Sequence, residues 1–479
     1  MPLETPFSWL TYATIVAEVV ILLFASGHAV LYKRESRSLV AWIGVIWLAP
    51  FLGAALYALF GINRIQRRAR VLRSGLESGA TTAAAAETPA ACELRFGQLD
   101  TLAALVSRVV QQPLVGGNRI RPLENGEQAY PAMLEAMAAA QQSITLCTYI
   151  FDSDQTGLQF LDALRQAAAR GVAVRLLIDD VGARYSFPTI VRRARRAGVP
   201  VASFLPVAVP WWFHYSNLRN HRKLMVVDGQ VGFTGGMNIR EEHRVTGGTR
   251  RPVQDLHFQI EGPVVGHLQE AFATDWYFTT GERLSGPRWF PEIAPAGDTA
   301  ARGIADGPDE DFEKLRLTIL GAIACAHSSL TIVTPYFLPD SALITQLNVA
   351  ALRGVEVRIV LPGRTNLQLV QWASTAQLWQ VLDRGCRVWR SPPPFDHTKL
   401  MIVDEAWALL GSVNWDQRSL RLNFEFNVEC YDRELARQLL RLVDARIAGS
   451  REVTLAELDG RSLPVRLRDG CARIFTPYL

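Results

Sequence analysis

The chain has 479 residues, with 50 Lys and Arg against 46 Asp and Glu for a formal net charge of +4. That length suggests about two to four domains and ample chain to bury a core, while the mild charge argues against the strongly basic surface that nucleic-acid binding normally requires. Six cysteines are scattered without CxxC or other metal-type spacing, and no GxxxxGK[ST] loop occurs, so no metal, ATP or other cofactor is expected.

Two apolar segments open the chain, Phe7 to Leu31 and Leu39 to Phe60, each long enough to cross a bilayer. The first lacks a basic start and is too long for a signal peptide, and the second follows closely. Residues 1–73 therefore read as a transmembrane helical hairpin with a basic juxtamembrane segment. Arg64, Arg67, Arg68, Arg70 and Arg73 follow the second segment. The positive-inside tendency then places both termini and the body of a multi-pass protein in the cytoplasm, against the pull of the basic connecting loop 32–38. The same arginines suit anionic headgroups. Glu18 falls inside the first segment and is assigned to protonation or contact with the neighbouring helix.

Residues 74–94 are read as a linker, since 74–91 is small, polar and alanine-rich. Beyond it the sequence repeats. SITLCTYIF (143–151) resembles SLTIVTPYF (329–337), and ARGVAVRLLID (169–179) resembles LRGVEVRIVLP (352–362). Each half presents strand, amphipathic helix, strand, further helix and an apolar strand, the alternation of α/β layers. Two α/β/α domains related by pseudo-two-fold symmetry are expected, at 95–295 and 300–479, joined by a Pro-, Gly- and Ala-rich surface connection at 291–311. Trp211, Trp212, Phe213 and Tyr215 suit a lipid–water boundary, with an apolar core strand and loop as the competing reading.

The densest repeat carries chemistry. HRKLMVVDGQVGFTGGMN (221–238) recurs as HTKLMIVDEAWALLGSVN (397–414), so each copy is His-x-Lys-x4-Asp followed by Gly-Gly/Ser-x-Asn. The runs LMVV and LMIV read as strands buried on both faces. Side chains at i and i+2 of a strand share a face, which would put His221 beside Lys223 and His397 beside Lys399. Lysine stabilises phosphoryl oxygens, and histidine serves as nucleophile or as acid and base near neutral pH. Two such faces allow one His to attack phosphorus while the other protonates the leaving oxygen, without metal.

Around this core stand residues with two readings. Asp228 and Asp404 either orient the site or hold the local fold; Asp228-Gly229 alone would be a hairpin turn, but Asp404 is followed by Glu405. Asn238 and Asn414 either bind phosphate or brace a loop. Asp255 and Glu425 are candidates to orient the histidines by hydrogen bonds. Gly235, Gly236, Gly411 and Ser412 are assigned to close backbone approach.

The paired motifs resemble those of the phospholipase D superfamily, and nearly the whole chain resembles its bacterial cardiolipin synthases. NLRNHRK (217–223), DLHFQIEGPVV (255–265) and NWDQRSLRLNFEFNVE (414–429) carry further resemblance. The resemblance implies that His221 and His397 are catalytic, with a phosphatidyl-histidine intermediate, and that Lys223 and Lys399 bind phosphate. It implies transfer of a phosphatidyl group between two phosphatidylglycerol molecules in the bacterial inner membrane, giving cardiolipin and glycerol. By family precedent His221 attacks and His397 serves as acid and base, although the sequence accommodates the reverse nearly as well. No nucleic acid and no obligate protein partner is expected. A phospholipase D-type hydrolase, a membrane-tethered nuclease and a non-catalytic lipid-binding scaffold are the alternatives.

Overall fold

The structure, a computed structural model, describes residues 9–33, 36–61, 96–110, 112–206, 218–307 and 313–476. The arginines at 64–73, the linker, Cys92 and the aromatic group at 211–215 lie outside these residues. The chain divides into two units, the smaller of which contains the amino-terminal helices. Helix Trp9–Tyr32 is continuous, and its portion Thr11–Tyr32, with mean hydropathy 2.0, is long and apolar enough to cross a membrane.

The second apolar segment departs from the single helix expected. It forms Ser36–Leu48, then Pro50–Leu56 and one π turn, Tyr57–Gly61. Pro50 lacks the N–H that would continue the ladder, and it opens the new helix at N1 after Ala49 leaves helical geometry (φ −149°, ψ 81°). These pieces pack on the first helix: Ala29, Ile46 and Tyr57 are buried together, and His28 Nδ1 lies 2.9 Å from the Tyr57 hydroxyl.

In the larger unit the two sequence repeats build one 15-stranded sheet. At its centre Val115–Glu124 pairs antiparallel with Thr299–Asp306. Outward from the first of these run Leu256–Glu261, Val231–Gly235, Leu224–Val227, Ser143–Thr148, Ala173–Asp179 and Val201–Phe204. Outward from the second run Glu425–Tyr431, Trp407–Gly411, Leu400–Val403, Ser329–Val333, Glu356–Pro362 and Arg387–Ser391, with Arg451–Val453 at the edge. The register matches as well, with Ile144 opposite Val227 in one half and Leu330 opposite Val403 in the other.

The central strand Thr299–Asp306 corrects one expectation, because it lies within the segment read as a surface connection. Small residues disguise it: Ala300, Ala301 and Ile304 are buried, and the fully buried Arg302 is paired with Glu429, its Nε donating to Oε1 at 2.6 Å. A charge in the middle of a strand conceals the apolar period that marks buried strands.

Helices Gln155–Ala169 and Ser341–Leu352 cross between parallel strands and begin alike. Asp154 accepts from Gly157 N, and Asp340 accepts from Ala342 N and Leu343 N. Each helix ends in the repeated Arg-Gly-Val, whose Gly171 and Gly354 both sit at φ 91°, a conformation only glycine adopts freely.

The motif strands are covered on both faces. Leu224 and Val226 share a core with Leu400 and Ile402, reinforced by helices Val265–Thr280 and Arg433–Ala448. Met225 and Val227 enter a second core, and Met401 and Val403 a third. Alternation of side chains across the sheet accounts for the unbroken apolar runs.

Candidate active site

His221 and Lys223 do not lie within the strand that follows them. They occupy the turn immediately before Leu224, as His397 and Lys399 do before Leu400. An Asx turn fixes each: Asn220 Oδ1 accepts from Arg222 N at 3.1 Å, and Asp396 Oδ1 from Thr398 N at 3.0 Å. Beneath the first turn Asn220 Nδ2 and Arg222 Nη1 reach Asp275 at 2.8 and 2.7 Å. Beneath the second Arg446 Nη1 donates to Asp396 and Thr398 at 3.0 and 2.9 Å.

Each turn is held by the opposite half of the molecule. His221 N donates to Phe424 O at 2.9 Å, and Asn220 forms a parallel bridge with Phe424. His397 N donates to Gln254 O at 2.8 Å, and Phe395–Asp396 pairs in parallel with Val253–Gln254. The next residue of each supporting segment is a carboxylate. Glu425 therefore meets His221, with Nδ1 3.0 Å from both Oε1 and Oε2, and Asp255 Oδ2 meets His397 Nδ1 at 2.8 Å.

These carboxylates are themselves tied down. Ser412 Oγ donates to Glu425 Oε2 at 2.5 Å and Asn423 Nδ2 to Oε1 at 3.2 Å, while Asp255 Oδ1 accepts from Leu256 N at 2.8 Å. Ser412 thus does more than permit close approach. Gly236 does permit it, since a Cβ there would lie 2.3 Å from Asp255 Oδ1.

Both lysines are buried, and their ammonium groups donate to the carbonyls of their own histidines, Lys223 to His221 O at 2.7 Å and Lys399 to His397 O. Burial pushes Lys223 down to about 7 and Lys399 down to about 8. Burial also raises Glu425 to about 7 and Asp255 to about 6, against the pull of the two ammonium groups. Both motif imidazoles are driven well below their ordinary range, first by burial and then by both lysines. The uncharged ring is thus favoured. With Nδ1–H given to the carboxylate, Nε2 is left with a lone pair, the form that attacks phosphorus or accepts a proton.

Asp228 and Asp404 are at the far end of the motif strands, and neither joins the histidines. Asp228 Oδ1 accepts from Gln142 N and Ser143 N at 2.7 and 2.9 Å, and Oδ2 from Gln141 N at 2.8 Å. Asp404 Oδ1 accepts from Ser328 N and Ser329 N at 2.7 and 2.9 Å, and Oδ2 from His327 N at 2.9 Å. Each carboxylate anchors the entry to the neighbouring strand. Each also begins the hairpin turn, at φ 52° and 50°, followed by Gly229 at 64° and Glu405 at 52°. One turn therefore serves both copies, although only the first has Gly. Of the two readings open to these aspartates, the geometry carries the one that holds the fold.

Asn238 braces a loop, its Oδ1 accepting from Ile150 N at 3.1 Å. Asn414 Nδ2 donates to Ser419 Oγ at 3.2 Å, and its buried Oδ1 has no hydrogen-bond partner among the described residues. Two tyrosines from the repeated strands join the histidines: Tyr149 lies edge-on 5.3 Å from the His221 ring, and Tyr336 6.4 Å from that of His397. The sequence signal was present, but the two occupy positions of the repeat shifted by one.

His243 has no counterpart in the other copy, where Ser419 follows Asn414 at the same interval. Its ring is buried 6.3 Å from that of His397. Nε2 accepts from Asn238 N at 3.3 Å, whereas the buried Nδ1 has no partner among the described residues. Burial lowers its pKa to about 3, so the ring is neutral with its proton on Nδ1. Among the described residues no group of His, Cys, Asp and Glu has an arrangement suited to a metal ion.

Comparison with known proteins gives the family. Residues 133–276 and 319–446 match a family model described as cardiolipin synthase, PLD-like domain, and residues 20–61 one described as phospholipase D-nuclease N-terminal. A cardiolipin synthase of Geobacillus thermodenitrificans (strain NG80-2) is 33% identical over 455 residues, covering 94% of this chain and 90% of that protein. Cardiolipin synthase A of Pseudomonas aeruginosa (strain LESB58) is 33% identical over 460 residues, covering 95% and 93%. The crystal structure of phosphatidylserine synthase from Haemophilus influenzae Rd KW20 has the same fold, with a TM-score of 0.61 at 14% identity over 79% of this chain and 100% of that one. A buried pair of histidines, each oriented by the other repeat, thus belongs to a chain that is a member of the cardiolipin synthase family with phospholipase D-like domains.

Proposed function

We propose that the protein transfers the phosphatidyl group of one phosphatidylglycerol to the terminal hydroxyl of another, forming cardiolipin and glycerol. The observation that carries this reading is the pair of buried imidazoles, each with Nδ1 against a buried carboxylate and each followed by a buried lysine that donates to its backbone carbonyl. In the first step His397 enters as the imidazolium, its charge met by the Asp255 carboxylate at Nδ1; His221 Nε2 forms a bond to phosphorus as the bond to the glycerol oxygen breaks, and His397 gives that oxygen its Nε2 proton and becomes neutral. In the second step His397 takes the proton of the incoming hydroxyl, whose oxygen attacks phosphorus and releases His221. Lys223 and Lys399 balance the charge that grows on the non-bridging oxygens. Asp255 and Glu425 orient the rings, and Asp228 and Asp404 hold the strands that present them.

A membrane position with the larger unit on the cytoplasmic side fits the long apolar helix Thr11–Tyr32 and the basic run after the second segment. Incubation of the purified protein with labelled phosphatidylglycerol tests the activity. Cardiolipin and glycerol are expected; phosphatidic acid as the sole lipid product would make it a hydrolase, and no turnover a binding scaffold.

A further inference from the structure

The helix Leu463–Ile474 presents an apolar stripe that is exposed among the described residues. Leu463, Leu467 and Ile474 recur at i, i+4 and i+11, so they share one face, and they are 67%, 60% and 73% exposed. The opposite face is buried: Ala472 packs with Leu338, Val370 and Ala373, and Asp469 accepts from Arg461 and Arg468. Single exposed leucines are ordinary, but a stripe on an otherwise well-anchored helix is not.

The charge around the stripe is of one sign. Arg461, Arg466, Arg468 and Arg473 stand against Asp469 alone between residues 461 and 476. Arg461 and Arg468 are paired with that carboxylate, whereas Arg466 and Arg473 have no ion pair among the described residues. An apolar face flanked by arginines matches the boundary of an anionic bilayer, with leucines among the acyl chains and guanidinium groups at the phosphates.

Position adds a reason for the stripe to matter. The helix packs on Gln368–Thr375, in whose first turn Leu369 is also exposed, as is Leu367 just before it. Asn366, in the same loop, accepts the Tyr336 hydroxyl at 2.6 Å, and the Tyr336 ring faces His397. The stripe is therefore linked, through one helix and the loop before it, to the wall of the second histidine.

We infer that helix Leu463–Ile474, with the loop before Gln368, docks on the surface of an anionic phospholipid bilayer and seats the His397 side of the site against its substrate. The inference rests on the phospholipid reading above. Its occupant is the lipid surface rather than a second copy of the chain.

The test uses the full chain reconstituted in vesicles containing phosphatidylglycerol, in a background with Cys92→Ser, Cys325→Ser and Cys471→Ser. A nitroxide is attached in turn at Leu467→Cys, Ile474→Cys and, as a water-facing reference, Arg437→Cys. Collision with oxygen is expected to exceed collision with a water-soluble nickel chelate several-fold at the first two positions and to be the smaller at the third. The contrast should shrink when the vesicles contain only zwitterionic lipid. Nickel accessibility at 467 and 474 equal to that at 437 would overturn the inference, as would spin–spin broadening from a neighbouring copy. Cardiolipin formation by the same samples separates this failure from failure of the proposed reaction.

Discussion

Glu425 lies in the second repeat and holds the imidazole of His221 in the first, its two carboxylate oxygens each 3.0 Å from Nδ1. Asp255 returns the relationship to His397. Each half therefore completes the other's histidine, and the exchange is fixed by backbone pairing through Phe424 and through Val253–Gln254. Neither half has a finished site alone.

Replacing either carboxylate should cost activity through the histidine it faces. Glu425→Gln and Asp255→Asn are each expected to lower the rate of cardiolipin formation by about a hundredfold or more, within the range of a general acid–base contribution. Ser412→Ala, which frees one Glu425 oxygen, should cost less. Initial rates measured beside thermal unfolding curves check this; unchanged rates in the two carboxylate variants would remove their orienting role.

The pH profile should be bell-shaped. Burial raises Asp255 to about 6 and Glu425 to about 7, so acid neutralises the groups that orient the rings. Burial lowers Lys223 to about 7 and Lys399 to about 8, so alkali removes the charges beside the phosphate. For stability the signs differ. The raised carboxylates keep protons that the unfolded chain releases near ~4, so their contribution is present at low pH and is lost as pH rises to about 7. The lowered lysines release protons that the unfolded chain keeps until ~10.4, so their contribution grows as pH rises through that window. Rate and unfolding profiles from pH 5 to 10 test both, and Glu425→Gln should displace the acid limb of the rate.

Asp228 and Asp404 should prove to be stability residues. Ala at either position leaves three backbone N–H groups without their acceptor, at a cost of roughly 2–4 kcal/mol. Burial would raise the Asp404 carboxyl, but the N–H donors of Ser329, Ser328 and His327 outweigh it and hold the group below its ordinary value. That contribution is present above the unfolded carboxyl's range and is lost as pH falls. Asp404→Ala should therefore unfold more easily near neutrality and lose less in acid, while the rate per folded molecule stays close to that of the parent.

His243 separates bracing from binding. Gln at this position can still accept from Asn238 N but lacks the Nδ1 donor; Asn keeps a donor near Nδ1 and loses the acceptor. If Nδ1–H contacts the bound headgroup, His243→Gln should raise KM several-fold with little change in melting temperature, and His243→Asn should restore KM. Equal KM in all three proteins would leave His243 a purely structural residue.

Much of this was legible in the sequence because repetition exposes itself. The paired motifs and the strand–helix alternation were readable from matched segments, and Asp255 and Glu425 stood out as candidates to orient the histidines; which histidine each would face was not readable. Three features were not. The central strand around Arg302 lacked an apolar period because a buried ion pair sits within it. The shared turn after each motif strand was hidden because Glu405 occupies a left-handed position usually given to Gly or Asn. His243 breaks the symmetry, so comparing the two copies could not reveal it.

The central claim is tested most directly by trapping the intermediate. The protein is mixed with phosphatidylglycerol labelled in its phosphate group, denatured in alkali, where a phosphorus–nitrogen bond survives, and digested to locate the label by mass spectrometry. The account predicts label on His221, absent from His221→Ala and discharged by added glycerol before denaturation. Cardiolipin formation with no histidine adduct, or an adduct on His397 alone, would contradict it.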